Sequence, residues 1–462
     1  MKFSPLNKRL LKIAIVSVIV VVAYFAAGGL GASMQLAFVV FVMAASLWIT
    51  TAIPLAATSL LIAVSQPLLG IQSFDAALRP FFDPIVVLLL GGFLLALAIE
   101  KHDLDEVFAQ RIVARFGVDL KMVTLGLMVS TAFLSMWISN TASTAIMVTL
   151  ALRLTADVKD ERGNTSKIMV LGIAYSATVG GLATLIGTPS NALAAAMLKK
   201  SVGYNLSFFE WFLYGLPLTA ILVIIIWLLL FKIFPTNVKE LPKVETQRKK
   251  LTKQQKITFA LFVFAVGLWV TGQLPEPLVE LTGWSGHGLS SGIVAAIVAV
   301  ALFLTGLLDE NDLPKVSWNT LLLFGGGLSL GSALEASGLT GWIGQSITQA
   351  TGGGGIAAIF LLAFSALGFS IVASNTASSS VFIPIAISVG LASGTNPVIL
   401  AVLVAICSSL DFMLPVGTPP NAIAYSTGKV KMHEMVKAGV LLDILSALTT
   451  IFLAVFLWTF LV

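Results

Sequence analysis

Uncharged apolar runs of about 20 residues recur along the chain. That length spans the hydrocarbon core of a bilayer as an α-helix. The pattern predicts helical spans at roughly 11–28, 34–50, 53–69, 83–100, 208–234, 256–273, 288–308, 317–337 and 436–461. Apolar residues are continuous within the runs rather than alternating, which argues against a transmembrane β-barrel. The first run follows Lys2, Lys8, Arg9 and Lys12 and extends to about Gly28 with no clear small-residue cleavage site. It therefore reads as a membrane helix rather than a signal peptide.

Three stretches do not read as simple spans. Residues 122–152 carry no charge over 31 positions, too many for one crossing, and Lys121 and Arg153 flank them. Basic residues stay on the cytoplasmic side, so both ends are expected on one side. The middle is polar, Ser139-Asn140-Thr141-Ala142-Ser143-Thr144, which predicts a re-entrant hairpin. Residues 168–198 form another uncharged run, interrupted by Gly187-Thr188-Pro189-Ser190-Asn191. Glycine and proline there predict a helix unwound near its far end, with a short second half. Residues 336–410 lack Asp, Glu, Lys and Arg altogether. They contain Ser374-Asn375-Thr376-Ala377-Ser378-Ser379 and are followed by Asp411 and Pro415-Val416-Gly417-Thr418-Pro419-Pro420-Asn421.

This order repeats the first half. Ser139-Asn140-Thr141 maps onto Ser374-Asn375-Thr376 at an offset of 235, as do Gly91-Gly92 onto Gly326-Gly327, Glu100 onto Glu335 and Leu104 onto Leu339. The Gly-Thr-Pro-x-Asn-Ala motif recurs at 187 and 417, an offset of 230. The expected organisation is an extra N-terminal helix (1–30), a first repeat (31–234, with a hairpin at 120–155 and a broken helix at 167–200), a basic linker (235–256), and a second repeat (257–462, with a hairpin at 354–392 and a broken helix at 396–427).

Composition agrees. Of 462 residues, 57% are hydrophobic and only 11% charged, and the mean hydropathy is +0.99. A soluble domain carries about 25% charge. The fold class expected is an all-α polytopic membrane protein. One cysteine, Cys407, excludes a disulfide scaffold, and three histidines leave little for a zinc enzyme. The net charge of +5 is a topology signal rather than a nucleic-acid patch, because the Lys and Arg cluster in short loops and the linker. Counting spans puts the N-terminus, the 153–167 loop and the linker in the cytoplasm, leaving Arg79, Lys199 and Lys200 as the only basic residues outside. The second hairpin then opens to the exterior, so the repeats run in opposite orientation. Inverted repeats with broken helices are built into secondary transporters, with the site near the midplane.

The polar motifs supply hydroxyls, amides, carbonyls and helix N-termini. Hydroxyl and carbonyl oxygens suit a small hard cation, and half-helix N-termini with Asn or Thr side chains favour a carboxylate. An isolated Ser or Thr in a membrane helix is more often a packing or back-bonding residue. Recurrence in both halves favours the site reading. Gly91-Gly92 and Gly325-Gly326-Gly327 read as close helix packing, Gly352 to Gly355 as a flexible loop, and the nine tryptophans as belt or packing residues. Asp411 and Asp443 sit in apolar surroundings and are functional candidates; Asp443 can equally be interfacial. A membrane hydrolase is disfavoured because His102, His287 and His433 all fall in expected loops, and an ion channel because closed hairpins suit alternating access.

Paired Ser-Asn-Thr motifs, paired Gly-Thr-Pro-x-Asn breaks and the stretch from Met413 to Ala422 resemble the divalent-anion:sodium symporter family over nearly the whole chain. The resemblance implies a carrier of C4-dicarboxylates, citrate or sulfate in a bacterial inner membrane. It also implies a homodimer with about eleven transmembrane helices and two re-entrant hairpins per chain, working as an elevator. It implies a substrate site lined by Ser139, Asn140, Thr141, Ser374, Asn375, Thr376, Thr418 and Pro419. One Na⁺ would sit among Ser135, Ser139, Asn140 and Gly187, the other among Ser370, Ala373, Asn375 and Gly417. Asp411 is outside the matched motifs, and its role stays open.

Coupling to a cation follows from charge. A dicarboxylate brings about two negative charges toward the midplane, where unpaired charge costs several kcal/mol or more. No Lys or Arg lies within the hairpins, whose ends Lys121 and Arg153 only mark, or at either Gly-Thr-Pro motif, and a half-helix N-terminus supplies only about half a charge. At least two Na⁺ per succinate, malate or fumarate is the expectation. A sodium-independent exchanger, a citrate or sulfate carrier, and a proton carried on Asp411 are the alternatives.

Overall fold

The computed structural model describes residues 5–242 and 250–460. Lys2, residues 243–249 of the basic linker and residue 461 of the last expected span lie outside the described residues. Within them the protein is helical, and the only β-pairing is an isolated antiparallel bridge between Asp119 and Glu240. In hydrocarbon every backbone N–H and C=O must find an internal partner, and helices achieve this locally.

The helices in order are α1 (Pro5–Ala26), α2 (Ala32–Thr50), α3 (Leu55–Leu68), α4 (Phe74–Leu78), α5 (Pro84–Lys101), α6 (Leu104–Val113), α7 (Leu120–Ser135), α8 (Asn140–Thr155), α9 (Asn164–Gly180), α10 (Pro189–Val202) and α11 (Phe208–Ile233). After the linker come α12 (Lys253–Thr271), α13 (Glu276–Thr282), α14 (Ser291–Leu304), α15 (Trp318–Ala336), α16 (Leu339–Ala350), α17 (Gly355–Val372), α18 (Asn375–Ser393), α19 (Pro397–Cys407), α20 (Pro419–Ser426) and α21 (Met432–Phe456). Eight helices among the described residues are long and apolar enough to cross a membrane. Large apolar side chains such as Leu6, Val18, Phe25, Leu228, Val263 and Phe452 stand exposed along them, a surface that only lipid or another apolar partner can cover. The chain is a multi-pass membrane protein.

Several elements differ in extent from the sequence reading. The span expected at 53–69 is the 14-residue α3, with Pro67 in its last turn and Gly70 at φ +69° closing it. The span expected at 288–308 is the 14-residue α14, capped by Ser290 and closed at Gly306. The helices α6 and α16, of 10 and 12 residues, are too short to cross a bilayer. His433 lies in the first turn of α21 rather than in a loop, where Glu434 accepts from the Lys431 N–H at the helix start.

The two halves pack into each other. α14 lies on α5 and α3 on α15; α20 lies on α8 and α9, and α10 on α18 and α19. Glycines allow the first two contacts. A Cβ on Gly91 would come within 2.6 Å of the Ala295 carbonyl oxygen, and one on Gly326 would overlap the Ser59 side chain. Polar ties join the helix ends. Lys101 pairs with Asp309 at 3.1 Å and Asp312 at 2.6 Å, and Lys167 of α9 pairs with Glu434 of α21 at 2.5 Å. Gly353 and Gly354, at φ +103° and +93°, turn the chain into α17 in a backbone region that side chains rarely tolerate.

The glycine contacts predict a contrast between neighbours. Gly91→Ala forces α5 away from α14 and is expected to cost about 1–3 kcal/mol, whereas at Gly92 the nearest atom to a new Cβ is Ile186 at 3.4 Å, an ordinary contact. Thermal unfolding in detergent should show a lowered midpoint for Gly91→Ala and little change for Gly92→Ala. Equal midpoints would mean that the close crossing does not limit stability.

Candidate functional site

The polar motifs lie where helices start or stop. α7 and α8 form a helix–turn–helix pair whose turn occupies 136–139, and α17 and α18 form another whose turn occupies 373–374. The Ser-Asn-Thr residues sit at the start of the second helix of each pair. Ser139 accepts from the Ala142 N–H and Ser374 from the Ala377 N–H, both at 3.1 Å. These are N-caps, the role short hydroxyl side chains fill best. Trp137 anchors the first turn against Phe208 and Phe262.

Just behind each tip the same bonds recur. Ser135 Oγ lies 2.6 Å from Asn140 Oδ1 and 2.6 Å from the Ala177 carbonyl oxygen. Ser370 Oγ lies 2.9 Å from Asn375 Oδ1 and 2.6 Å from the Ser408 carbonyl oxygen. A serine hydroxyl has one proton to donate. Each cluster therefore holds two acceptor oxygens against a single hydroxyl proton.

The breaks are built alike. α9 ends at Gly180 and α10 begins at Pro189; α19 ends at Cys407 and α20 begins at Pro419. The first unwound stretch begins at Gly181, six residues before the Gly-Thr-Pro motif that flags it in the sequence. Within it Asn191 Nδ2 donates to the carbonyls of Gly181 (2.9 Å) and Thr184 (2.7 Å). Asn421 Nδ2 donates to those of Asp411 (3.1 Å) and Leu414 (3.0 Å). All three positions match at the offset of 230. Proline at the first position of α10 and α20 has no N–H to waste there.

These bonds sort the candidate residues. Ser135, Asn140 and Gly187 come together around Gly181: a Cβ at 181 would meet Asn140 Oδ1 at 2.9 Å and the Gly187 carbonyl oxygen at 3.0 Å. Ser370 and Asn375 are bonded, Ala373 ends α17, and Gly417 lies against the Asp411 carboxylate. Of the substrate candidates, Ser139, Thr141 and Pro419 are exposed, Asn140, Ser374 and Asn375 half-buried, and Thr376 and Thr418 buried. Thr418 caps α20 by accepting from the Asn421 N–H. No hydrogen bond among the described residues joins the two Ser-Asn-Thr tips. Two surface cavities open elsewhere, one by Tyr204, Gly390 and Asn396 and one by Lys200, Ser201 and Glu335. Asn191 and Asn421 were quoted within their motifs but not assigned to the site; their constant offset was the available signal.

Comparison with known proteins places this geometry. The family model for the sodium:sulfate symporter transmembrane region matches residues 5–462. The sodium-dependent dicarboxylate transporters SdcS of Staphylococcus aureus strains USA300 and MRSA252 are each 33% identical, the alignment covering 89% of this chain and 84% of theirs. Among solved structures, the fold is similar to the Alcanivorax borkumensis YdaH transporter (TM-score 0.61, 13% identity, 83% of this chain and 88% of that one). It is also similar to Neisseria gonorrhoeae MtrF, of a class of antimetabolite efflux pumps (TM-score 0.52, 12% identity, 81% and 82%). With the family match running from α1 to the end of the chain, and its paired capped tips and amide-bridged breaks inside that match, the protein belongs to the sodium:sulfate symporter family, the divalent-anion:sodium symporters its motifs resemble.

Proposed function

We propose that the protein imports C4-dicarboxylates such as succinate, malate or fumarate, coupled to at least two Na⁺. The observation that carries this reading is the pair of acceptor-rich clusters, Ser135–Asn140–Ala177 and Ser370–Asn375–Ser408. Each sets two acceptor oxygens against one serine hydroxyl proton, an arrangement that a hard cation completes. Four helix N-termini, at α8, α10, α18 and α20, begin at the motifs, and their dipoles favour a carboxylate. The sodium-dependent dicarboxylate relatives support the same substrate and ion.

The proposed frame is two inverted repeats (31–234 and 257–462) with about eleven transmembrane helices and two re-entrant hairpins, in a homodimer with a cytoplasmic N-terminus in a bacterial inner membrane. α7 to α11 and α17 to α21, the hairpins, the broken helices and the spans that follow them, form the part that moves as an elevator. The reciprocal seating of α20 on α8 and of α10 on α18 supports their moving as one body. Single cysteines at Lys121 and Arg153 are expected to label from the cytoplasm and one at Gly353 from outside. Labelling of 121 and 153 from opposite sides would overturn the inverted arrangement.

Uptake of labelled succinate into proteoliposomes tests the coupling. Uptake should rise steeply with Na⁺, with inward current if more than two Na⁺ accompany each substrate; uptake unchanged in choline would leave the exchanger reading. Citrate or sulfate competing better than succinate would reassign the substrate. Asn140→Ala and Asn375→Ala should each abolish transport in folded protein, while Asn205→Ala, which loses only an exposed bond to Gln273, should retain it. Asn396 is no neutral control, because it caps α19 through the Val398 N–H. Near-normal uptake by both motif variants would make their amides purely structural.

A further inference from the structure

Asp411 is fully buried, and neither of its carboxylate oxygens has a hydrogen-bond partner. The backbone and amide donors of its own segment are already engaged. Asn421 Nδ2 serves the carbonyls of Asp411 and Leu414, the Gly417 N–H serves the Leu414 carbonyl, and the Phe412 N–H serves Asp443 Oδ1. The side chain instead presses on Gly417, where a Cβ would overlap the carboxylate. The amide bridges make Asp411 the counterpart of Gly181, since Asn191 holds Gly181 as Asn421 holds Asp411. At Gly181 a side chain would run into the gap between Asn140 and Gly187. The carboxylate of Asp411 therefore occupies the corresponding place beside Gly417, where the first half, with glycine, packs Asn140 and Gly187 close against the backbone.

We propose that Asp411 is a charged ligand of the cation site in the second half, so that one of the two sites is anionic and the other neutral. This rests on the sodium-coupled reading above. A buried carboxylate without a partner is costly, and a bound cation supplies the missing counter-charge directly. The anionic site holds its ion more tightly and fills first. Its ion neutralises Asp411 rather than substrate, so compensation of the dicarboxylate falls on the remaining cations.

The test is the sodium dependence of uptake in Asp411→Asn and in Asp411→Gly, which restores the residue of the first half. The half-maximal Na⁺ concentration should rise by about tenfold or more, since bonds to charged groups exceed neutral ones by that order. Saturating Na⁺ should recover the maximal rate, with the succinate KM then unchanged. Stabilisation of the purified protein by Na⁺, read as a melting shift, should weaken in parallel. An unchanged sodium midpoint in either folded variant overturns the proposal while leaving sodium coupling intact; wild-type uptake indifferent to Na⁺ overturns both. If neither variant folds, carbodiimide labelling of wild-type Asp411, mapped by mass spectrometry, decides. Na⁺ but not choline should slow it, and labelling indifferent to Na⁺ overturns the assignment.

Discussion

Two side-chain amides hold the centre of the molecule open. An unwound stretch inside a membrane protein exposes carbonyls that no water reaches, and each buried acceptor left bare costs about 1–3 kcal/mol. Asn191 and Asn421 each spend both Nδ2 protons on two such carbonyls. This fixes where α10 and α20 begin, and so where their N-termini point. It also fixes the walls against which Asn140 and Gly417 rest. The capped tips, the acceptor-rich clusters and the seating of each half-helix on the opposite half all presuppose these breaks being stable.

The helical membrane character was legible because a bilayer imposes one length and one polarity on every crossing. The family was legible because motifs such as Gly417-Thr418-Pro419-Pro420-Asn421 combine helix breaker, cap and amide at fixed spacing. Other features were not. Polar residues in the middle of 122–152 mark a discontinuity, but their becoming caps at the start of α8 depends on backbone direction. α9 stops at Gly180, ahead of the glycine and proline that flag the break, at a point where Ala132 of α7 packs so closely that a Cβ on Gly180 would meet its carbonyl oxygen at 2.5 Å. That contact is tertiary. The lack of any partner for Asp411 is likewise a statement about all its neighbours, which no local pattern contains.

Similar backbone frames thus carry different chemistry. The bonds of Asn191 recur at Asn421 and those of Ser135 at Ser370, yet one half has hydrogen where the other has a carboxylate. A repeated frame keeps the same backbone groups in the same places. A single side chain is enough to change the charge at one of them.

The reciprocal seating of the half-helices bears on how the chain is made. α8 and α9 leave the ribosome well before α20, which packs on them. Until then α8 and α9 lack that partner, in a membrane where unpaired polar groups seek any partner. Contacts so distant in sequence form late and leave intermediates exposed. The centre is therefore assembled only once translation has passed α20. A nascent chain stalled before Pro419 presents quality control with an inserted but unsealed bundle.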